Sequence, residues 1–399
     1  MNDCKHRKIL NISINFLLFF APVLIMLLTE YFETNTIGSL PADGPLYLSI
    51  ADNFLETGHF IQTSRDYINF VVPPGVPFFL TVFRFLGFDM WMITAVHALL
   101  FGVSNILLFR TEMRLFGRGG IAALLYTMAF FRCRLYLGTI LVEHYFMFML
   151  CLIVWLIFAD IPEKRKLLLL NFVGVAAFLT RTVLSLVYIC ILVYTLYVFV
   201  SGRKWSGAAA VLLLPVILLS VNLCVNYRET GEMILLESYS GVDMYKAVSP
   251  KTTLTYRDSV YFDDEELNRI YQEPDMTMKQ KSEKLVQMAR EIVKADPWRC
   301  ISNTLIRIYN MFLKAYVYAA IPAIIGGLLM AMGKHKGIKL LNYTMLAVNI
   351  LLAVITSFGF PEIRYTIVIW VLCSIHLSAL FYFVLDRLKT RLAKNSIGA

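Results

Sequence analysis

Long apolar runs separated by short polar stretches recur along most of the chain, and that alternation predicts helices. Ten runs read as membrane-crossing helices: 9–31, 91–109, 119–137, 138–159, 167–180, 182–201, 206–226, 303–331, 340–358 and 365–385. A hydrocarbon core about 30 Å thick takes about 20 helical residues per crossing. Residues 119–159 and 167–201 are too long for single passes, and each carries arginine near its middle: Arg132 with Arg134, and Arg181. Each is therefore read as a hairpin that brings its arginines to a membrane surface. The run Val76–Phe88 is too short to cross and reads as an interfacial or re-entrant helix.

Two polar segments interrupt the runs. In the first, 32–75, Leu46, Ile50 and Phe54 recur every four residues and Gly58 follows as a stop, which predicts an amphipathic helix over 44–57 lying along the bilayer surface. The second, 227–302, holds a solvated acidic run at Asp263–Glu266. A helix follows it, opened by Thr277 with Gln280 at capping-box spacing and striped by Leu285, Met288, Ala289, Ile292 and Val293. Asp296-Pro297 should end that helix, with Trp298 at the interface. The expected architecture is an all-α integral membrane protein of about ten transmembrane helices. It divides into an N-terminal membrane module (1–226) with a catalytic first outer loop, a helical outer loop domain (227–302), and C-terminal helices with a basic tail (303–399).

Composition supports this. Of 399 residues, 58% are hydrophobic and 16% charged, with a mean hydropathy of +0.65, against about 45–50% and about 25% for soluble domains. A soluble enzyme, a disordered scaffold and a secreted disulfide module are excluded. The net charge of +9 does not point to nucleic acid, because the basic residues cluster between apolar runs, as at Arg110, Arg114 and Arg118 or at Lys164, Arg165 and Lys166. That is the positive-inside pattern, and an even number of spans leaves both termini cytoplasmic in the inner or plasma membrane. Six scattered histidines show no metal-ligand spacing, and seven cysteines form no framework.

With this topology Asp43, Tyr47, Glu143, His144, Arg181, Arg228, Glu362 and Arg364 all collect on the non-cytoplasmic side. Ionisable groups at membrane depth are costly and mark functional candidates. One carboxylate with several arginines suits sugar transfer from a lipid phosphate. The acceptor hydroxyl needs a general base, and the anionic leaving group needs guanidinium forks rather than an acid.

The stretch Asp43-Gly44-Pro45-Leu46-Tyr47, with Ala51, Gly58-His59-Phe60 and Pro73-Pro74-Gly75-Val76-Pro77, resembles the first-loop signature of the GT-C glycosyltransferases. The branch it resembles includes protein O-mannosyltransferases and lipid A aminoarabinose transferases. Further matches run in the family's order: Glu143, Arg181, Asn226–Glu232, Ala295–Trp298 and Glu362–Tyr365. The resemblance implies polyprenyl-phosphate sugar donors, inversion at the anomeric carbon and a catalytic aspartate at Asp43. It departs at Gly44, where members often carry a second acid, and in lacking a phosphate-binding lysine near the Pro-Pro segment, a role left to Arg65 or another arginine.

The sequence thus nominates Asp43 as base, Glu143 to orient substrate, and Arg181, Arg228 and Arg364 for the donor phosphate. Tyr47, Arg65, His59, His144 and Glu362 are weaker pocket candidates. Plainer readings stand beside these. Asp43 can cap the 44–57 helix, and Glu143 can form a structural ion pair, with Arg132 or Arg134 as the basic residues in reach. Arg181 and Arg364 can snorkel to headgroups, Arg228 can join a loop salt bridge, Glu362 can hold Arg364, and His144 can pack. The expected partners are a polyprenyl-phosphate sugar, membrane lipids and a glycan, lipid or protein acceptor. No cofactor is assigned, and a divalent cation stays open. The rival functions are a transporter or flippase of lipid-linked glycans, and a glycan polymerase or ligase.

Overall fold

The computed structural model describes residues 2–31, 43–61, 71–132, 137–202, 205–238, 240–251, 265–273, 275–309, 315–331 and 367–397. Among them every regular element is helical. In chain order these are α1 (Asn2–Thr29), α2 (Gly44–Thr57), α3 (Gly75–Phe85), α4 (Met90–Phe116), α5 (Ile121–Arg132), α6 (Val142–Phe158), α7 (Glu163–Thr180) and α8 (Ser185–Ser201). Then come α9 (Trp205–Thr230), α10 (Ser240–Val248), α11 (Glu265–Gln272), α12 (Met278–Ala295), α13 (Pro297–Ile308), α14 (Ala315–Ala331) and α15 (Ile367–Ile397).

Helix α4 and the Val211–Thr230 part of α9 are long and apolar enough to cross a membrane, and shorter apolar helices accompany them. Of the expected run 303–331, α13 covers the part up to Ile308 and α14 the part from Ala315, and residues 310–314 lie outside the described residues. Asp296 caps α13 by accepting the Arg299 N–H at 2.9 Å, with Pro297 in the first turn, so the helix begins ahead of the apolar run. The run 340–358 lies outside the described residues. Helix α3 has 11 residues, about 16 Å of helix, roughly half a bilayer.

Both expected hairpins form. Asn171 Nδ2 donates to Thr195 Oγ1 at 2.8 Å, and Gly174 packs on Tyr188 and Ile191, so α7 and α8 run antiparallel. Thr127 Oγ1 donates to Asn105 Oδ1 at 3.0 Å while the Ala122 N–H reaches Glu112 Oε1 at 2.9 Å, which sets α5 antiparallel to α4. The chain then returns along α6, whose His- and aromatic-bearing start meets α4 at His97 and Tyr145. Helix α6 is buried along most of its length, packed by α4, α7 and α15. Outward-facing apolar side chains are just as plain: Phe16, Leu17 and Leu24 on α1, Ile189, Val193 and Tyr197 on α8, and Leu213, Val216 and Val221 on α9.

The two ends of this bundle differ. At one, Arg114 pairs with Asp160 at 3.1 Å and Arg118 with Asp386 at 2.6 Å, and Glu112 accepts the Gly120 and Ala122 N–H groups at the start of α5. At the other, the buried Glu30 carboxylate accepts the Leu137 and Gly138 N–H groups, and the His97 Nδ1–H donates to the Leu137 carbonyl at 2.8 Å. That second end carries the polar segments.

Helix α2 matches the expected bounds. Leu46, Tyr47, Ile50 and Ala51 form its buried face, and Gly58 closes it at φ 75°, a left-handed turn that glycine enters without a Cβ clash. Residues 231–238 turn back along α9, where Asn222 and Asn226 donate to the Leu235 and Ile234 carbonyls at 2.5 and 2.8 Å. Beyond them α10, α11 and α12 enclose a small apolar core of Val242, Tyr245, Leu267, Ile270, Tyr271 and Leu285. The Thr277–Gln280 capping box forms as the spacing predicts.

Candidate functional site

Three chain segments converge at the polar end. The first is the start of α2. Asp43 stands at its N-cap position with the backbone carbonyl accepting the Tyr47 N–H at 3.1 Å, yet its side chain makes no cap hydrogen bond. The simple capping role is therefore not what holds that carboxylate.

The second is the corner between α7 and α8. Arg181 is extended there (φ −155°, ψ 121°), which breaks the helix and turns its side chain across the bundle. Its Nη1 donates to Glu143 Oε1 at 2.7 Å, and its guanidinium lies 5.3 Å from the Phe146 ring centre. Glu143, in the first turn of α6, is wholly buried, while Arg181 keeps 19% of its side chain exposed. The basic partner of Glu143 is thus Arg181, 38 residues away, rather than Arg132 or Arg134. The Glu143 side chain is fully buried, and the Arg181 guanidinium covers it. The approach of the Pro-Pro-Gly segment is close: a Cβ on Gly75 would meet the Leu179 carbonyl and the Thr180 backbone at 2.9 Å.

The third segment is the stretch entering α10. Glu237 accepts from the Thr182 hydroxyl at 3.1 Å, and Ser238 exchanges two hydrogen bonds of 3.0 Å with Val71. Helix α10 follows at once and brings Asp243 into the field of both Asp43 and Arg181. The Asp243 carboxyl is solvent accessible, yet protein crowds it on most sides. That desolvation pushes its pKa up to about 6. Lys246 and then Arg181 pull it down, and Asp43 pushes it up. Burial and the Asp243 charge likewise raise the Tyr271 phenol.

Other nominated residues lie elsewhere. Arg228 belongs to the last turn of α9, which runs on to Thr230 rather than ending at 226. Its Nη2 donates to the Gly58 carbonyl at 3.3 Å, and His59 Nδ1 contacts Glu229 Oε2 at 2.9 Å. Those contacts sit at the far end of α2 from Asp43, about 20 Å along the helix axis, so Arg228 and His59 join the end of α2 to the end of α9 and lie away from Asp43. Tyr47 is buried on the α2 face, and His144 packs against His97 with ring centres 4.2 Å apart, its Nε2–H donating to the Thr139 carbonyl. Arg65, Glu362 and Arg364 lie outside the described residues.

Sequence reasoning missed Asp243 and Lys246, which show neither an apolar context nor a motif, and Glu30, whose burial only the neighbouring chain reversal creates. Among the described residues no three His, Cys, Asp or Glu side chains gather closely enough to hold a metal ion. The arrangement can therefore abstract a proton at a carboxylate and hold an anion at the adjoining cations. No family model, no curated protein and no solved structure matches this chain.

Proposed function

We propose that this protein is an inverting membrane glycosyltransferase that moves a sugar from a polyprenyl phosphate to a hydroxyl acceptor on the outer membrane face. The observation that carries the reading is the partly exposed Arg181 guanidinium held by buried Glu143 at the α7–α8 corner, at the bundle end opposite the Arg114–Asp160 and Arg118–Asp386 pairs. The GT-C resemblance of the first-loop motif supports it independently.

The bilayer reading draws on the exposed apolar side chains of α1, α8 and α9, far more than a soluble surface leaves open. On that reading about ten helices cross, both termini face the cytoplasm, and the donor's tail enters sideways from lipid. Asp43 takes the acceptor hydroxyl proton as that oxygen bonds to the anomeric carbon. The bond from that carbon to the phosphate oxygen breaks with inversion, and the phosphate departs as an anion beside Arg181. Glu143 keeps the guanidinium aimed. Arg364, from the last outer segment, is a further candidate for the phosphate.

The transporter alternative asks for polar residues free to bind cargo at mid-span. The notable polar residue of the α9 span, Asn222, instead holds the Leu235 carbonyl. The deciding experiment incubates purified protein in nanodiscs with labelled polyprenyl-phosphate sugar and envelope extract. Sugar should move to acceptor without a gradient, and Asp43→Asn should stop it. Translocation without transfer would establish the transporter, and undiminished transfer by Asp43→Asn with arginine variants dead would favour a polymerase or ligase.

A further inference from the structure

Helix α15 is longer than a bilayer crossing needs. Its stretch Ile367–Leu385 holds no lysine, arginine or acid and rises about 28 Å, close to a hydrocarbon core of about 30 Å. The helix then runs on without a break to Ile397. One side of it is pinned where the charges begin. Tyr382 is buried, and its carbonyl accepts from Arg118 Nη2 at 3.0 Å. The same guanidinium pairs with Asp386 at 2.6 Å and lies 4.4 Å from the Tyr382 ring centre. Those contacts set the rotation of α15 at the basic end of the bundle and turn its opposite side outward.

That outward side is apolar. Phe381, Val384, Leu388 and Leu392 recur at helical spacing and form one exposed stripe that continues past Asp386, where Leu388 is 52% and Leu392 69% exposed. Lys389 and Arg391, both exposed, fall on either side of this stripe at about 100° per residue. Arg387 leans over the Phe383 ring at 5.2 Å. From 387 to 394 the chain carries four cations and no acid. Water satisfies the cations but not the two leucines. A surface with an anionic skin over an apolar interior takes both: leucines enter between acyl chains while the cations reach back to phosphates. The stripe is continuous with Phe381 and Val384 on the apolar part of the same helix, which favours lipid over a protein partner.

We infer that the end of α15, from Arg387 to Leu392, is a docking surface for anionic phospholipid headgroups. This rests on the bilayer reading of the helices and is independent of sugar transfer. It gives the chain a lipid preference at the bundle end opposite Arg181.

The test places the photo-crosslinking residue p-benzoylphenylalanine at Leu392, or at Phe381, in the full chain. The protein is held in nanodiscs of equal phosphatidylglycerol and phosphatidylcholine, and mass spectrometry identifies the adducts. At Leu392, phosphatidylglycerol adducts should outnumber phosphatidylcholine adducts about fivefold, the factor for one basic residue near an anionic surface. Replacing the cations together (Arg387→Gln, Lys389→Gln and Arg391→Gln) should bring that ratio to about one. Phe381 should crosslink to lipid in both backgrounds. The triple variant spares Arg118 and Asp386, so it should fold, and thermal unfolding checks that it has. Equal adducts of the two lipids at Leu392 with the cations in place overturn the inference. So does a ratio that survives their replacement, or crosslinking to a second copy of the chain in place of lipid. Lipid adducts at Phe381 with none at Leu392 overturn it while leaving the span standing. Lipid adducts at neither position remove the bilayer reading of α15 itself.

Discussion

Arg181 donates to Glu143 at 2.7 Å across a boundary where the carboxylate is fully buried and the guanidinium only partly so. The asymmetry assigns their roles. Glu143 is closed off from solvent, but it fixes the angle of a cation that is not. Its other oxygen, Oε2, is buried without a hydrogen-bond partner among the described residues, so the carboxylate depends on this one ion pair.

Breaking that pair should therefore be unequal in its effects. Arg181→Ala strands a buried carboxylate and is expected to lower stability by about 3–5 kcal/mol, the range for an orphaned buried charge. Glu143→Gln removes the charge but keeps the shape and should cost less. Thermal unfolding in detergent of both variants and the Glu143→Gln/Arg181→Ala double variant checks this, with the double variant no worse than Arg181→Ala alone.

Asp43 makes no cap hydrogen bond to α2. Asp43→Asn keeps the side chain's shape and loses no helix cap, so it is expected to change stability far less than turnover, lowering transfer on the order of 10²–10⁴-fold, as for loss of a general base. Unfolding and turnover measured on one preparation separate the two effects. A large loss of stability would make the residue structural.

The pH dependence has a definite sign. Asp243 binds its proton at about pH 6 in the folded chain against an ordinary 3.8, so the folded state holds that proton more tightly. Its contribution to stability is complete below about pH 4 and is lost as pH rises through about 6. Asp243→Asn should gain stability relative to wild type as pH rises from about 4 to about 7.5. Parallel melting profiles across that range would contradict the raised pKa of Asp243.

Gly75 lies where a Cβ would meet the Thr180 and Leu179 backbone. Backbone cannot rotate away as a side chain can, so Gly75→Ala should push the start of α3 off the α7 corner at a cost of about 1–3 kcal/mol. Because Arg181 occupies that corner, donor affinity should fall too. Normal stability and affinity in Gly75→Ala would show that the contact yields easily.

Much of the helical order was legible in the chain. The four-residue spacing of Leu46, Ile50 and Phe54 with Gly58 marked α2, and Thr277 with Gln280 marked the start of α12. Mid-run arginine correctly foretold the break at Arg181, because a guanidinium is too costly to leave inside an apolar helix. Of the candidate site, Asp43 and Arg181 were visible as charges at element boundaries, whereas Asp243 looked like any acid in a solvated loop.

What the sequence by itself determined is many of the helices, the Gly58 stop, the Thr277–Gln280 box and the break at Arg181, since each depends on side chains a few residues apart. Which charge meets which was decided only by tertiary packing. Glu143 finds Arg181 because α6 and α7 lie side by side, and Glu237 and Ser238 meet Thr182 and Val71 because distant stretches of chain come together there. Electrostatic partnership depends on distance in space, and no local period of the chain encodes that distance.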